Sequence, residues 1–256
     1  MALYSAAKHD ESDLNDVIFV IADQMNYGID ELKSPDLRHE LAKLNEMAGN
    51  KAVGHSAYDA SHSYFKIALS LFQTNHWESE YDGSLRLSLL LANSAYSCGD
   101  VEESRNTLQH IFDHATCLDD KLDAYHLLIQ LLGIRGVKEE YLDGCKIAHE
   151  VLAQLGEEIP ESISAEETVQ LFKMTSTMLK NASVQSLLES GKDVERNIEF
   201  ILEFYDSMYV AAFHVKQQYV PFIACRMVQL SMEHGSTKHL ISGKFDVCEG
   251  VHYVHN

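Results

Sequence analysis

Residues 75–82 read Asn-His-Trp-Glu-Ser-Glu-Tyr-Asp and contain the single Trp of the chain. Imidazole beside carboxylate is the material of general acid–base chemistry and of metal binding. On a helix His76 and Glu80 share a face four residues apart, but Asp82 lies elsewhere on the turn. Two ligands rarely hold a metal. Asn75-x-x-Glu78 also has the spacing of a capping box, in which Asn takes a free backbone N–H and Glu reaches back. The stretch therefore reads as a helix start, with Trp77 as a packing anchor and His76 and Glu80 on the surface.

His110-Ile-Phe-Asp-His114 followed by Cys117 has the more metal-like spacing. Positions i, i+4 and i+7 fall on one helical face, and both residue types suit zinc. The motif lacks the Glu of HExxH, and no second cluster completes it. The alternative is a solvent-facing His stripe near a helix C-terminus, where imidazolium favours the dipole. Cys98 and Cys225 could be nucleophiles, yet unpaired Cys more commonly serves as a small buried hydrophobe. No GxSxG elbow occurs. Phe200, Phe204, Tyr205, Tyr209, Phe213 and Tyr219 fit either a ligand groove or the core stripe of a helix.

The elements that must position these residues are helical. Pro occurs three times and Gly thirteen times in 256 residues, so long breaker-rich loops are excluded. Ser34-Pro35-Asp36 is a helix start, and Leu37, Leu41, Leu44 and Ala48 follow as one stripe. A second helix runs through Ala57, Tyr64, Phe65, Ala68 and Leu71. Leu85, Leu89, Ala92 and Tyr96 carry the helix begun at Asn75 to the turn Cys98-Gly99-Asp100. Further helices are predicted at about 101–117, 119–134, 138–155, 165–181, 193–214 and 217–234. Glu157-Glu-Ile-Pro160-Glu-Ser162 reads as the clearest linker.

The formal net charge of −19 repels phosphate backbones and anionic lipid, so nucleic-acid and membrane-surface roles are disfavoured. Five cysteines at irregular spacing, without a CxxC pair or a signal peptide, suggest reduced thiols and a cytoplasmic protein. No apolar run is long enough to span a bilayer.

A small-residue pattern repeats along the hairpins. Ala48-Gly49-x-x-Ala52 followed by Ser61, Phe65 and Ala68 has the tetratricopeptide order of small and large positions. Leu91-Ala92-x-x-Ala95, then Gly99-Asp100, Ser104, Leu108 and Ile111, has it again. A weaker copy runs from Ile129 through Gly136 to Cys145 and Ala148. Small residues let two helices approach, and each hairpin leaves an apolar face for the next to cover. The predicted fold class is all-α, with antiparallel helical hairpins stacked as a tetratricopeptide-like α solenoid. Gly49, Ala52, Phe65, Ala68, Trp77, Ala92, Ala95, Tyr96, Gly99, Leu108 and Tyr125 are its structural positions. Its segments are an N-terminal helix at 1–33, hairpins at 34–157, further helical repeats at 158–235 and a divergent tail at 236–256.

One ordered series of motifs carries a resemblance. Glu40-Leu-Ala-Lys-Leu-Asn-Glu-Met-Ala-Gly49-Asn-Lys-Ala52 leads into Tyr64-Phe-Lys-Ile-Ala68-Leu and His76-Trp77-Glu78-Ser-Glu80-Tyr81. Ala95-Tyr96-Ser-Cys-Gly99-Asp and Asp120-Lys121-Leu-Asp-Ala124-Tyr125 follow, then Arg226-Met227 to His234-Gly235. The series, over about residues 17–236, resembles the helical-repeat region of large multidomain signalling ATPases. In that family a protein-kinase-like domain and a predicted AAA-type ATPase precede the repeats, and GAF and histidine-kinase or cyclase domains often follow. This chain has no GxxxxGK[ST] loop, and Ser242-Gly243-Lys244 is no substitute. A kinase Gly-rich loop with His-Arg-Asp is also missing. The resemblance thus implies a non-catalytic interaction or interdomain-relay module with no cofactor. Its expected partners are protein or peptide segments with basic surface. The rival readings are a fragment of an ATP-dependent signalling enzyme, or a metal-dependent hydrolase around His110, His114 and Cys117.

Overall fold

The structure, a computed structural model, describes residues 11–181 and 195–235, with side chains from Val17 onward. The described residues form eleven α-helices and three short 3-10 turns, with no strand among them. The divergent tail at 236–256, with Ser242-Gly243-Lys244, and the predicted helix start at 193 lie outside the described residues. The chain divides into two compact units, Met1–Ala124 and Tyr125–Asn256.

The first unit holds α1 (Glu11–Tyr27), α2 (Pro35–Gly54), α3 (Tyr58–Ser70), the single turn α4 (His76–Ser79), α5 (Tyr81–Cys98) and α6 (Val101–His114). Ile18, Ile21, Ala22 and Met25 recur at helical spacing on α1 and bury against Leu41, Leu44 and Ala48 of α2. Within that apolar seam one polar pair is fully satisfied. Asn26 and Asn45 donate reciprocally, amide to amide, at 2.8 Å each, and Asn45 also donates to the Leu41 carbonyl.

The α2–α3 approach depends on Gly49. A Cβ there would stand 2.4 Å from the Phe65 ring, so no larger residue fits without displacing that fully buried ring. Ala52 and Ala68 are buried beside it, and Ala92, Ala95 and Leu108 occupy the α5–α6 seam. There the Ser104 hydroxyl donates to the Ala92 carbonyl at 2.8 Å across the hairpin. Gly99 ends α5 with φ 81°, a left-handed conformation that other residues adopt at a cost. Asp100 then caps α6 through the Glu103 N–H at 3.0 Å.

Two helix readings change. Asn75 makes no side-chain cap bond, and its φ/ψ of −102°/29° is not the extended backbone of a capping residue. The helix also breaks at Glu80 and restarts at Tyr81, so the Asn75–Glu78 box does not exist. On α5 the buried face is Leu87, Leu91, Ala92 and Ala95 with Ser84, Ser88 and Ser94, not the stripe through Leu85 and Leu89.

The second unit takes most of α7 (Leu122–Gly133), then α8 (Lys138–Gln154), α9 (Ala165–Asn181), α10 (Arg196–Val215) and α11 (Val220–His234). A full capping box begins α9. The Ser164 hydroxyl accepts from the Glu167 N–H at 3.2 Å, and the Ser164 N–H donates back to the Glu167 carboxylate at 2.8 Å. Phe200, Phe204, Tyr205 and Tyr219 are buried, whereas Phe213 is exposed, so the aromatic series is chiefly a core stripe.

The segment read as a linker is pinned. Arg226 donates from Nε and Nη2 to both oxygens of Glu157 at 2.8 Å, and the buried Tyr205 hydroxyl donates to the same carboxylate at 2.8 Å. Ile159 is buried, and the Tyr219 hydroxyl donates to the Glu161 carbonyl. Burial opposes the Glu157 charge, but the bonds from Arg226 and Tyr205 outweigh it and hold the carboxyl below its ordinary range. Burial and the neighbouring Glu157 carboxylate together hold the Tyr205 phenol well above its usual range.

Candidate functional site: a ring ladder beside a groove

In the first unit the two suspect stretches of the sequence come together. The Trp77 indole stacks on the His114 imidazole, with centroids 4.9 Å apart and planes 12° from parallel. His114 stacks in turn near His110 at 6.3 Å. On the other side Trp77 meets His76 at 5.8 Å and the edge of Tyr81 at 6.0 Å. His76 meets Phe72 at 5.9 Å, and Phe72 stacks on His39 at 6.4 Å. Four imidazoles and three aromatic rings thus form one continuous ladder from α2 to α6.

Hydrogen bonds fix the ladder. His76 Nδ1 lies 2.7 Å from the fully buried Ser84 hydroxyl, which itself reaches the carbonyls of Glu80 at 2.8 Å and His76 at 3.0 Å. A carbonyl can only accept, so with the Ser84 proton on either carbonyl its lone pair takes a His76 Nδ1–H, and with that proton on Nδ1 the ring accepts instead. His114 Nδ1 lies 2.8 Å from the His110 carbonyl and must carry the proton. Tyr81 donates to Asp120 at 2.6 Å and accepts from the Thr116 N–H at 2.9 Å. His76 is therefore no free surface residue. Burial lowers its pKa, His114 and His110 push the same way, and Glu80 opposes them.

The hydrolase geometry does not assemble. The helix ends at His114, so Cys117 leaves the face that i+7 would have given it, and it is exposed. Among the described residues no group of three His, Cys, Asp or Glu side chains is placed to hold a metal. The two thiols suspected as nucleophiles, Cys98 and Cys225, are not activated. Burial raises Cys98, with the Asp59 carboxylate adding to it, and pushes the fully buried Cys225 up to about 11. Of the remaining sequence-derived positions, Tyr96 and Tyr125 are half-buried, as is Trp77.

Beside the ladder runs a groove of two adjoining clefts, about 420 Å³ and 210 Å³, that share His39, Phe72 and Glu80. Pro35, Asp36, His39, Ala42, Lys43 and Glu46 line it at helical spacing along α2. Opposite stand Leu71, Phe72 and Gln73 and the α5 residues Gly83, Arg86 and Leu87. Two charge contacts cross it: His39 Nδ1 to Glu80 at 3.1 Å, and Arg86 to both oxygens of Glu46 at 2.6 and 3.0 Å. Arg38 donates to the carbonyls of Ser70 and Leu71 and so closes the end of α3. The sequence did not single out His39, Phe72, Ser84 or Arg86, because each meets its partner only through the tertiary fold.

No helix among the described residues is long and apolar enough to cross a membrane. No family model matches the chain, and no solved structure matches it. The chain is 32% identical over 107 residues to "Hybrid signal transduction histidine kinase G" of Dictyostelium discoideum. The match takes in 38% of this chain and 3% of that protein. An all-helical chain with partial similarity to a signal transduction histidine kinase is the relationship these comparisons support.

Proposed function

We propose that this chain is a non-catalytic, cytoplasmic helical-repeat module that binds protein segments, or relays between domains, in a signalling protein. Its hairpins would stack as a tetratricopeptide-like α solenoid, the repeat region of a signalling ATPase. The close Gly49–Phe65 approach and the Ala-lined α5–α6 seam support that stacking. The observation that carries the binding role is the groove along α2. From Pro35 to Glu46 it is roughly 16 Å long at the helical rise of about 1.5 Å per residue, and that suits about five extended residues.

The occupant this surface favours is a peptide with one apolar anchor and basic flanks. Phe72 and Leu71 offer the apolar floor, and Asp36 and Glu80 offer carboxylates around it. The net charge of −19 would speed encounter with a basic partner. A peptide array with basic, acidic and scrambled members tests the reading against the chain and its Glu80→Lys variant. Basic members are expected to bind and to weaken in the variant by about tenfold, a loss of about 1.4 kcal/mol. Equal retention of acidic members, or ATP turnover by the purified chain, would refute it.

A further inference from the structure

The ring ladder is more than a packing device, because its centre is built from protonatable rings. We propose that His76, Trp77 and His114 form a proton-operated clasp, which holds the α4 turn on α6 while His76 is neutral and releases it when His76 charges. The consequence for binding rests on the groove reading above, since Glu80 closes α4 and lines both clefts. The clasp itself does not depend on that reading.

Neutral His76 already engages Ser84 through Nδ1, and neutral His114 uses its single N–H on the His110 carbonyl. A second proton on His76 enters at whichever ring nitrogen is bare and leaves both nitrogens as donors. His114 lies over the indole face at 4.9 Å, where a cation is attracted, so release falls to His76. On His76 the charge lies in a half-buried place. The titratable groups facing His76 from the packed elements are His110 and His114 of α6 and Glu80 at the end of its own turn. Glu80 is already engaged by His39 of α2. The α5 side presents the Ser84 hydroxyl, with Tyr81 held by Asp120 beyond it. Glu78 and Asp82 are exposed. One carboxylate, Glu80, is therefore shared by His39 and His76, and α4 is a single turn held by few backbone bonds. Release of that turn is the cheapest way to separate the charges.

Trp77 is the only Trp in the chain, so its emission reports the clasp directly. The full chain is titrated from about pH 7.5 to 5.5, across the ordinary range of His, with emission maximum and far-UV circular dichroism recorded together. The expected result is a red shift with unchanged helix content. His76→Gln keeps an amide donor for Ser84 but cannot charge, and should abolish the shift. His110→Gln alters an exposed residue and removes one repelling neighbour, so its midpoint should move to higher pH. An emission maximum constant across the range overturns the clasp. So does a midpoint that is the same in both variants as in the parent chain. Neither outcome depends on whether any peptide binds the groove.

Discussion

The two units solve the problem of packing helices in opposite ways. In the first, small residues let backbones close in: Gly49 under Phe65, Ala92 beneath Ser104, and an Asn pair in the α1–α2 seam. Its aromatic and imidazole rings are left largely at the surface, as a ladder beside a groove. In the second, the large rings Phe200, Phe204 and Tyr205 are buried, and a charge pair ties an irregular segment to α10 and α11. This contrast locates the candidate site in the first unit.

The contrast can be broken most severely at Phe65. Phe65→Ala empties the α2–α3 seam and should cost about 3–5 kcal/mol of stability in chemical denaturation, with the groove signal lost first. A loss confined to the second unit would contradict the division. Arg226→Met leaves the Glu157 carboxylate half-buried without its bidentate partner, for about 1.5–3 kcal/mol. Amide exchange should quicken in α10 and α11 and stay unchanged in α2 and α3.

Glu157 also sets a pH window. Its folded pKa lies below its ordinary 4.5, so its stabilisation is complete above that value and is lost as pH falls through the folded pKa. Glu157→Gln should flatten that acid limb in the second unit. Gly49→Ala sharpens the first half of the contrast: the added methyl should cost about 1–3 kcal/mol through the Phe65 ring. The smallest effects separate two look-alike caps. Asp100→Ala should cost about 1 kcal/mol because its carboxylate holds the Glu103 N–H. Asn75→Ala should stay within about 0.5 kcal/mol, because Asn75 caps nothing with its side chain. Thermal melts of the pair decide this.

Much of the helical order was legible in the sequence. The periodicity, the Ser34-Pro35-Asp36 start and the Gly99 turn place most helices of the first unit within a few residues, because these signals are local. The one-turn α4 was not legible, since its break at Glu80 has no Gly or Pro to announce it. Ser164-x-x-Glu167 carried a readable capping box that went unread, whereas the similar Asn75-x-x-Glu78 forms none. The ladder was hidden for another reason. Its two halves were each visible as suspicious stretches, but nothing local says that His114 lies on Trp77. Glu157 likewise looked like linker because its partners stand 48 and 69 residues away.

The most direct test of the interaction role is calorimetric titration of the chain with a basic, apolar-anchored peptide, beside the Glu80→Lys chain. Saturable one-to-one binding that weakens about tenfold in the variant, with circular dichroism unchanged, is the expected result. Identical affinity in both chains, or equally tight binding of an acidic peptide, would contradict a groove that reads basic segments.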